Sequence, residues 1–177
     1  MVQHEVEVKV LEVDVGALQK KLLDLGAKKI FDDIMRVQSF LPRDADAIDY
    51  VRVRQEGPDC MLSVKKHIGS DTVKCTDEFS VRVADFDKAC LLLEKLGFDD
   101  KRSYHKHRLS LLYDGIRFEF DTFMDEYAFV PPFLEIEASS EQEVHRALDI
   151  VELPKERAFS WTGGDIIRHY KKLRRNL

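Results

Sequence analysis

Ionisable side chains recur at every second position along much of this chain. Glu5, Glu7 and Lys9 alternate with Val6, Val8 and Val10, Arg52 and Arg54 flank Val53, and Lys106 and Arg108 flank His107. Arg117, Glu119 and Asp121 alternate with Phe118 and Phe120, and Glu135 and Glu137 flank Ile136. Lys65 stands two positions from Ser63, and Glu78 two from Ser80. Two is the strand period, so each set shares one face. Any one such strand would serve in an open sheet with its charged face in water; recurrence on so many strands points to a shared interior face. Acids at i and i+2 sit about 7 Å apart. Neighbouring strands that gathered Glu5/Glu7, Glu119/Asp121 and Glu135/Glu137 would crowd their carboxylates. At an effective dielectric of about 20, like charges about 4 Å apart repel by about 4 kcal/mol, so crowding on that scale calls for cations. Carboxylate oxygens are the ligands that hard divalent ions such as Mg²⁺ or Mn²⁺ prefer. The bases suit several phosphate groups, guanidinium as a bidentate fork and ammonium as a point charge. Acids holding metal beside bases holding an anion make a phosphoryl-transfer site, where catalysis is mostly positioning and charge neutralisation.

The elements that must position these residues follow from the same periodicity. Strands are expected at about 3–10, 35–41, 48–55, 59–66, 73–83, 104–113, 115–122 and 133–138. Glu56-Gly57-Pro58-Asp59 reads as a turn, and Asp114-Gly115 as a hairpin. Asp14 caps a helix with Val15, Leu18, Leu22 and Leu25 on one face, stopped by Gly26. Asp85 caps a second helix, and a shift of 71 residues places Glu7 on Glu78, Leu22 on Leu93 and Gly26 on Gly97. That spacing suggests a duplicated strand–helix unit. Ser140-Glu141-Gln142-Glu143 is a capping box for a third helix, and a fourth follows Gly163-Gly164. Eight strands and few helices, with no linker composition between them, predict one α+β domain over 1–177. Eight strands also suffice to close an antiparallel barrel.

Composition narrows the class. The 177 residues hold 28 bases and 33 acids, a formal net charge of −5. A near-balanced, mildly acidic chain lacks the basic excess of a general nucleic-acid binder. Cys60, Cys75 and Cys90 form no CxxC pair or zinc-spaced cluster and read as free thiols of a reducing compartment. The run Met1-Val2-Gln3-His4-Glu5 does not have the pattern of a signal peptide. No apolar run approaches the roughly 18 residues that span a bilayer. A cytoplasmic protein, monomeric or homodimeric, with neither a membrane nor a nucleic-acid partner, is the expectation. P-loop and dinucleotide-binding fingerprints are absent from the sequence.

Taken in order, Glu5-Val6-Glu7-Val8-Lys9, Arg52/Arg54, Lys65, Glu78, Lys106/Arg108, Glu119/Asp121 and Glu135/Glu137 resemble the motif series of the CYTH domains, the triphosphate tunnel metalloenzymes. The resemblance covers about residues 3–170. It implies an eight-stranded antiparallel barrel with a charged interior and flanking helices. It also implies a triphosphate-containing small-molecule substrate: inorganic tripolyphosphate, thiamine triphosphate or a nucleoside triphosphate. By the same resemblance Glu5, Glu7, Asp121, Glu135 and Glu137 would hold Mg²⁺ or Mn²⁺, with Glu119 supporting. Lys9, Arg52, Arg54, Lys65, Arg108 and Arg117 would grip the triphosphate, Lys106 and Glu78 would complete the lining, and Glu5, Glu7 and Lys9 form the candidate catalytic set. Three departures stand out. Ser80 stands where an acid is common, Lys65-Lys66-His67 replaces Lys-Gly-Pro, and Ser160-Trp161 replaces Ser-Tyr, which leaves Lys155 and Arg157 as C-terminal phosphate-binding candidates. A metal-dependent triphosphatase is the leading reading, a class IV adenylyl cyclase the alternative, and a non-catalytic polyphosphate binder the third. His105, His107 and His4 are expected on the outer surface, Trp161 in packing, and the basic C-terminal tail in solvent.

Overall fold

Alternation along the chain becomes eight long strands: β1 (Gln3–Val10), β2 (Lys28–Leu41), β3 (Tyr50–Glu56), β4 (Asp59–His67), β5 (Lys74–Arg82), β6 (Asp100–Tyr113), β7 (Ile116–Phe123) and β8 (Phe133–Ala138). The computed structural model describes residues 3–42, 48–68 and 73–175; Met1 and Val2 of the N-terminal run read above lie outside them. Neighbours run β5-β4-β3-β2-β6-β7-β8-β1, and β1 pairs back onto β5, which closes an antiparallel barrel. A two-residue strand, β9 (Ala158–Phe159), adds to β1 at Lys9 and Val10. β2 begins seven residues before the sequence pattern does, because its first turn-side half is exposed on both faces and carries no alternation to read. The Asp114-Gly115 hairpin has both residues at positive φ (50° and 79°), as a two-residue turn that follows strand twist requires.

Four helices flank the barrel: α1 (Val15–Asp24), α2 (Phe86–Lys95), α3 (Glu141–Ile150) and α4 (Gly163–Arg175). Asp14 and Asp85 cap α1 and α2 by accepting from the N–H groups of Ala17 and Lys88, both at 2.9 Å. Ser140 caps α3 by accepting from Glu143, but the Glu143 carboxylate reaches back to Ser139 rather than to Ser140. Because charge fills the interior, apolar residues face outward and the helices cover them. α1 and α3 bury Val6, Val8, Phe118, Phe120, Leu134 and Ile136. α2 covers Val51 and Val53 of β3, and α4 packs its Ile166, Ile167 and Tyr170 against Phe123 and Phe133 at one end of the barrel. Each fully buried aliphatic or aromatic side chain contributes about 1.5–3 kcal/mol. Among the described residues, no helix is long and apolar enough to cross a membrane.

The 71-residue repeat reappears in the pairing. Where β1 meets β5, Glu5 stands opposite Thr76, and where β2 meets β6, Met35 stands opposite Lys106. Both partners are separated by 71, so β1–β4 and β5–β8 are related by a two-fold through the two seams.

Candidate active site

Strand period two and the closed pairing turn Glu5, Glu7 and Lys9 of β1 into the bore, beside Lys74 of β5 and Glu135 and Glu137 of β8. β3 supplies Arg52 and Arg54, β4 Lys65, and β6 Lys106 and Arg108. Around the ring, β4 lies opposite β7 and β3 opposite β8. The bases Arg52, Arg54 and Lys65 therefore form one wall, and the acids of β7 and β8 the facing wall. Between them is a cavity of about 540 Å³, lined at one end by α4, where the exposed Arg102, Arg168 and Lys171 reach solvent.

The lining is a network of buried ion pairs. Lys9 donates to Glu7 at 2.8 Å and lies 3.1 Å from Glu135. Lys74 donates to the same Glu7 oxygen at 2.6 Å, and Lys65 donates to Glu5 at 2.6 Å and also meets Glu78. Arg108 forks onto Asp121 through Nε and Nη2 at 2.7 and 2.6 Å and reaches Glu119 with Nη1, while Lys106 donates to Asp121 at 2.6 Å. Burial opposes charge on Glu7, yet Lys9, Lys74 and Lys65 hold its carboxyl down at about 2 despite Glu135. Glu135 is also held well below the usual range, by Lys9, Arg108 and Lys106 acting against burial. Glu137 goes the other way: burial, then Glu119, Glu5 and Glu135, push it up to about 8 against the opposing Arg117. Burial and its carboxylate neighbours likewise raise Glu119, and burial with Arg108 lowers Lys106.

Ten of the residues singled out from sequence line the cavity: Glu5, Glu7, Lys9, Arg52, Arg54, Lys65, Lys106, Arg108, Glu135 and Glu137. Glu78, Glu119 and Asp121 are buried behind that lining, each bonded to bases that reach the cavity. In this arrangement Asp121, 0 % exposed, and Glu119 orient Arg108 and Lys106. Arg117 sits at the start of β7, exposed and outside the cavity, and acts there through its charge on Glu137. Lys155 and Arg157 are not in the bore. Lys155 is exposed, and Arg157 donates to the carbonyls of Leu11 and Glu12 at 2.9 and 3.0 Å, a structural tie. His105 and His107 point outward to Asp125 and Asp32, exposed His4 meets Asp77, and Trp161 stacks on Phe159 with ring centroids 4.5 Å apart.

Sequence reasoning missed Lys74 and the whole mouth of the cavity. Lys74, Thr76 and Glu78 do alternate, but only the β1–β5 register brings Lys74 onto Glu7. At the mouth Tyr104 meets Phe123 and Tyr127 edge-on, with centroids at 5.2 and 6.5 Å, and Met35, Val37 and Leu41 of β2 add an apolar strip. Arg102 and, from α4, Arg168 and Lys171 stand at the rim. The alternation of Arg102 and Tyr104 with Lys106 was available as a signal.

The donor chemistry of the acidic wall fits a hard divalent ion. Glu5, Glu7, Glu135 and Glu137 present carboxylate oxygens to the cavity, and Glu137 is raised first by burial and then by the acids Glu119, Glu5 and Glu135 around it. Among the described residues, no three His, Cys, Asp or Glu side chains stand together as a ready cage, since lysines and arginines engage several of the oxygens.

Neither a protein-family model nor a curated relative matches the sequence. Solved structures do match the fold. The PH1012 protein of Pyrococcus horikoshii superposes with a TM-score of 0.76 at 20% identity, over 89% of this chain and 96% of that one. A proposed adenylate cyclase of Vibrio parahaemolyticus gives 0.69 at 16% identity, over 94% and 98%. HpAC1 of Hippeastrum, a proposed adenylyl cyclase with a dominant triphosphatase activity, gives 0.60 at 17%, over 93% and 95%. With its charge turned inward and its helices outside, the chain shares the closed eight-stranded antiparallel barrel fold of these structures, the architecture that the motif resemblance implied.

Proposed function

We propose that the chain is a divalent-metal-dependent phosphohydrolase of a triphosphate-containing small molecule. The observation that carries this reading is the pair of opposed walls: Arg52, Arg54 and Lys65 face Glu135 and Glu137 across one cavity. The bases would bind the phosphate oxygens, and Lys9, held between Glu7 and Glu135, would orient the group nearest the acids. Glu5, Glu7, Glu135 and Glu137 would hold Mg²⁺ or Mn²⁺, which supplies charge neutralisation and a more acidic bound water. Buried Asp121 fixes the Arg108 fork, so its hydrogen-bond donors need little reorganisation when phosphate arrives. A polyanion binder without metal would gain nothing from an acidic wall. The cavity of about 540 Å³ is in the range of small-molecule sites, and the apolar and aromatic side chains at its mouth, Met35, Val37, Tyr104, Phe123 and Tyr127, would favour an organic triphosphate over inorganic tripolyphosphate.

That mouth also gives the cyclase reading the nucleoside site it requires, so both reactions are tested together. Incubation with Mg²⁺ or Mn²⁺ and, separately, tripolyphosphate, thiamine triphosphate and ATP should release inorganic phosphate. Pyrophosphate with cAMP from ATP would replace hydrolase by cyclase, and no turnover with metal-independent binding would leave the polyanion binder. Glu7→Gln and Arg54→Ala should each lower kcat/KM at least about a hundredfold, the scale of losing one preorganised charge contact. Full activity in Glu7→Gln would contradict the metal assignment.

A further inference from the structure

Resting on that reading and going beyond it, we propose a second anion subsite at the tunnel mouth, centred on Gly164 between Arg102 and Arg168. It would receive a phosphate or carboxylate on the organic end of the substrate. Gly164 lies in the first turn of α4, and a Cβ there would stand 3.4 Å from one terminal nitrogen of Arg102 and 3.5 Å from one of Arg168. Both guanidinium groups, together with the Thr162 hydroxyl at 3.6 Å, thus border the small space that the absent side chain leaves. Gly164, Arg102 and Arg168 all line the same cavity as the phosphate-binding wall.

The rim holds more bases than acids, with Glu126 on Tyr127 and Asp165 on Arg168 standing beside Arg102, Arg168 and Lys171. Asp165 accepts from Arg168, but it also takes the Thr162 N–H at 2.8 Å and the Thr162 hydroxyl at 2.5 Å. Arg102 has no carboxylate partner among the described residues, and Lys171 places its ammonium 5.0 Å above the Tyr127 ring instead of on an acid. Position fixes the kind of ligand. Arg102, Tyr104 and Lys106 follow at alternate positions of β6, so Arg102 lies about 13 Å from Lys106 along the strand. Tyr104, with Phe123 and Tyr127 against it, occupies the interval. A molecule reaching both cation sites therefore crosses an aromatic wall, which suits an organic spacer better than further phosphates. The substrate class this selects is an organic triphosphate with one more anionic group, such as a nucleoside triphosphate phosphorylated on its sugar.

Exposed bases at a mouth could instead only steer any polyanion inward, and two variants separate the possibilities. Gly164→Ala leaves every charge in place and adds a methyl at ordinary contact distance, filling the space. Arg102→Gln removes a charge. The wild-type kcat/KM for adenosine 3′-phosphate 5′-triphosphate should exceed that for ATP by about tenfold, the scale of one charge-assisted contact. Both variants should reduce this preference to within about twofold and leave ATP turnover unchanged. Absence of the preference in the wild type overturns the proposal. So does equal loss on both substrates in Arg102→Gln with Gly164→Ala silent, the pattern of steering. Should the wild type turn over no triphosphate, the functional reading fails on its own, and titration with adenosine 3′,5′-bisphosphate against AMP judges the subsite. Tighter bisphosphate binding lost in Gly164→Ala sustains it, and equal affinities overturn it.

Discussion

Glu137 is a carboxyl of the lining that burial, and then its acidic neighbours, hold in the neutral form. With its carboxyl pushed up to about 8 from an ordinary 4.5, the folded chain keeps a proton that the unfolded chain releases above pH 4.5. Free of metal, the protein should therefore lose stability as pH rises from 4.5 towards 8. Glu137→Gln has no charge to suppress. Its unfolding free energy from urea titration in chelator should be close to wild type at pH 5 and higher at pH 8, by on the order of 2–3 kcal/mol after allowance for partial solvation. A variant less stable than wild type at pH 8 would mean that Glu137 is ionised and paired. The residue shows where legibility stopped. Alternation alone put Glu135 and Glu137 on one face, but their opposite shifts depend on partners from β1, β6 and β7. Lys9 lies opposite Glu135, while the Cα partner of Glu137 on β1 is another acid, Glu7.

At the scale of elements, the sequence disclosed strands, turns and caps because each rests on local signals: period two, Asp-Gly, an Asp or Ser before an apolar run. Register is non-local and was not legible, so Lys74 and the depth of Glu119 and Asp121 emerged only with the closed sheet. The segment after α3 was read least well. Lys155 and Arg157 suggested phosphate contacts, whereas Arg157 ties the turn before β9 to the carbonyls that follow β1. Since hydrogen bonds from a charged donor contribute about 1.5–3 kcal/mol, Arg157→Ala should lower the unfolding free energy by about 1–2 kcal/mol at this partly exposed site. Its kcat/KM should match wild type at temperatures where both are folded. A drop in kcat/KM without loss of stability would return Arg157 to the binding machinery.

Over the whole molecule, the two-fold that pairs Glu5 with Thr76 and Met35 with Lys106 has an electrical consequence. It sets the third and fourth strands of each half across the bore from those of the other, and these strands differ in the charges singled out from sequence, with Arg52, Arg54 and Lys65 in one half and Glu119, Asp121, Glu135 and Glu137 in the other. Such a wall-against-wall interior should give an unusual dependence of stability on pH. Glu7, held at about 2, together with the lowered Glu78 and Glu135, contributes stability that is complete above the ordinary value of 4.5 and is lost as pH falls towards 2. Glu137 and the raised Glu119 act oppositely and remove stability above 4.5. Without metal the two limbs should meet in a maximum at about pH 5, lower than the usual optimum between about 5 and 8 would centre it. Saturating Mg²⁺ compensates the acidic wall and should shift the maximum upward by at least about one pH unit, with the largest gain at pH 8, since binding to the folded state alone adds stability by mass action. Urea midpoints from pH 3 to 9, with chelator and with Mg²⁺, measure both curves. Superimposable curves would mean that the acidic wall takes no cation, because a bound ion must favour the ionised form of the carboxylates that hold it.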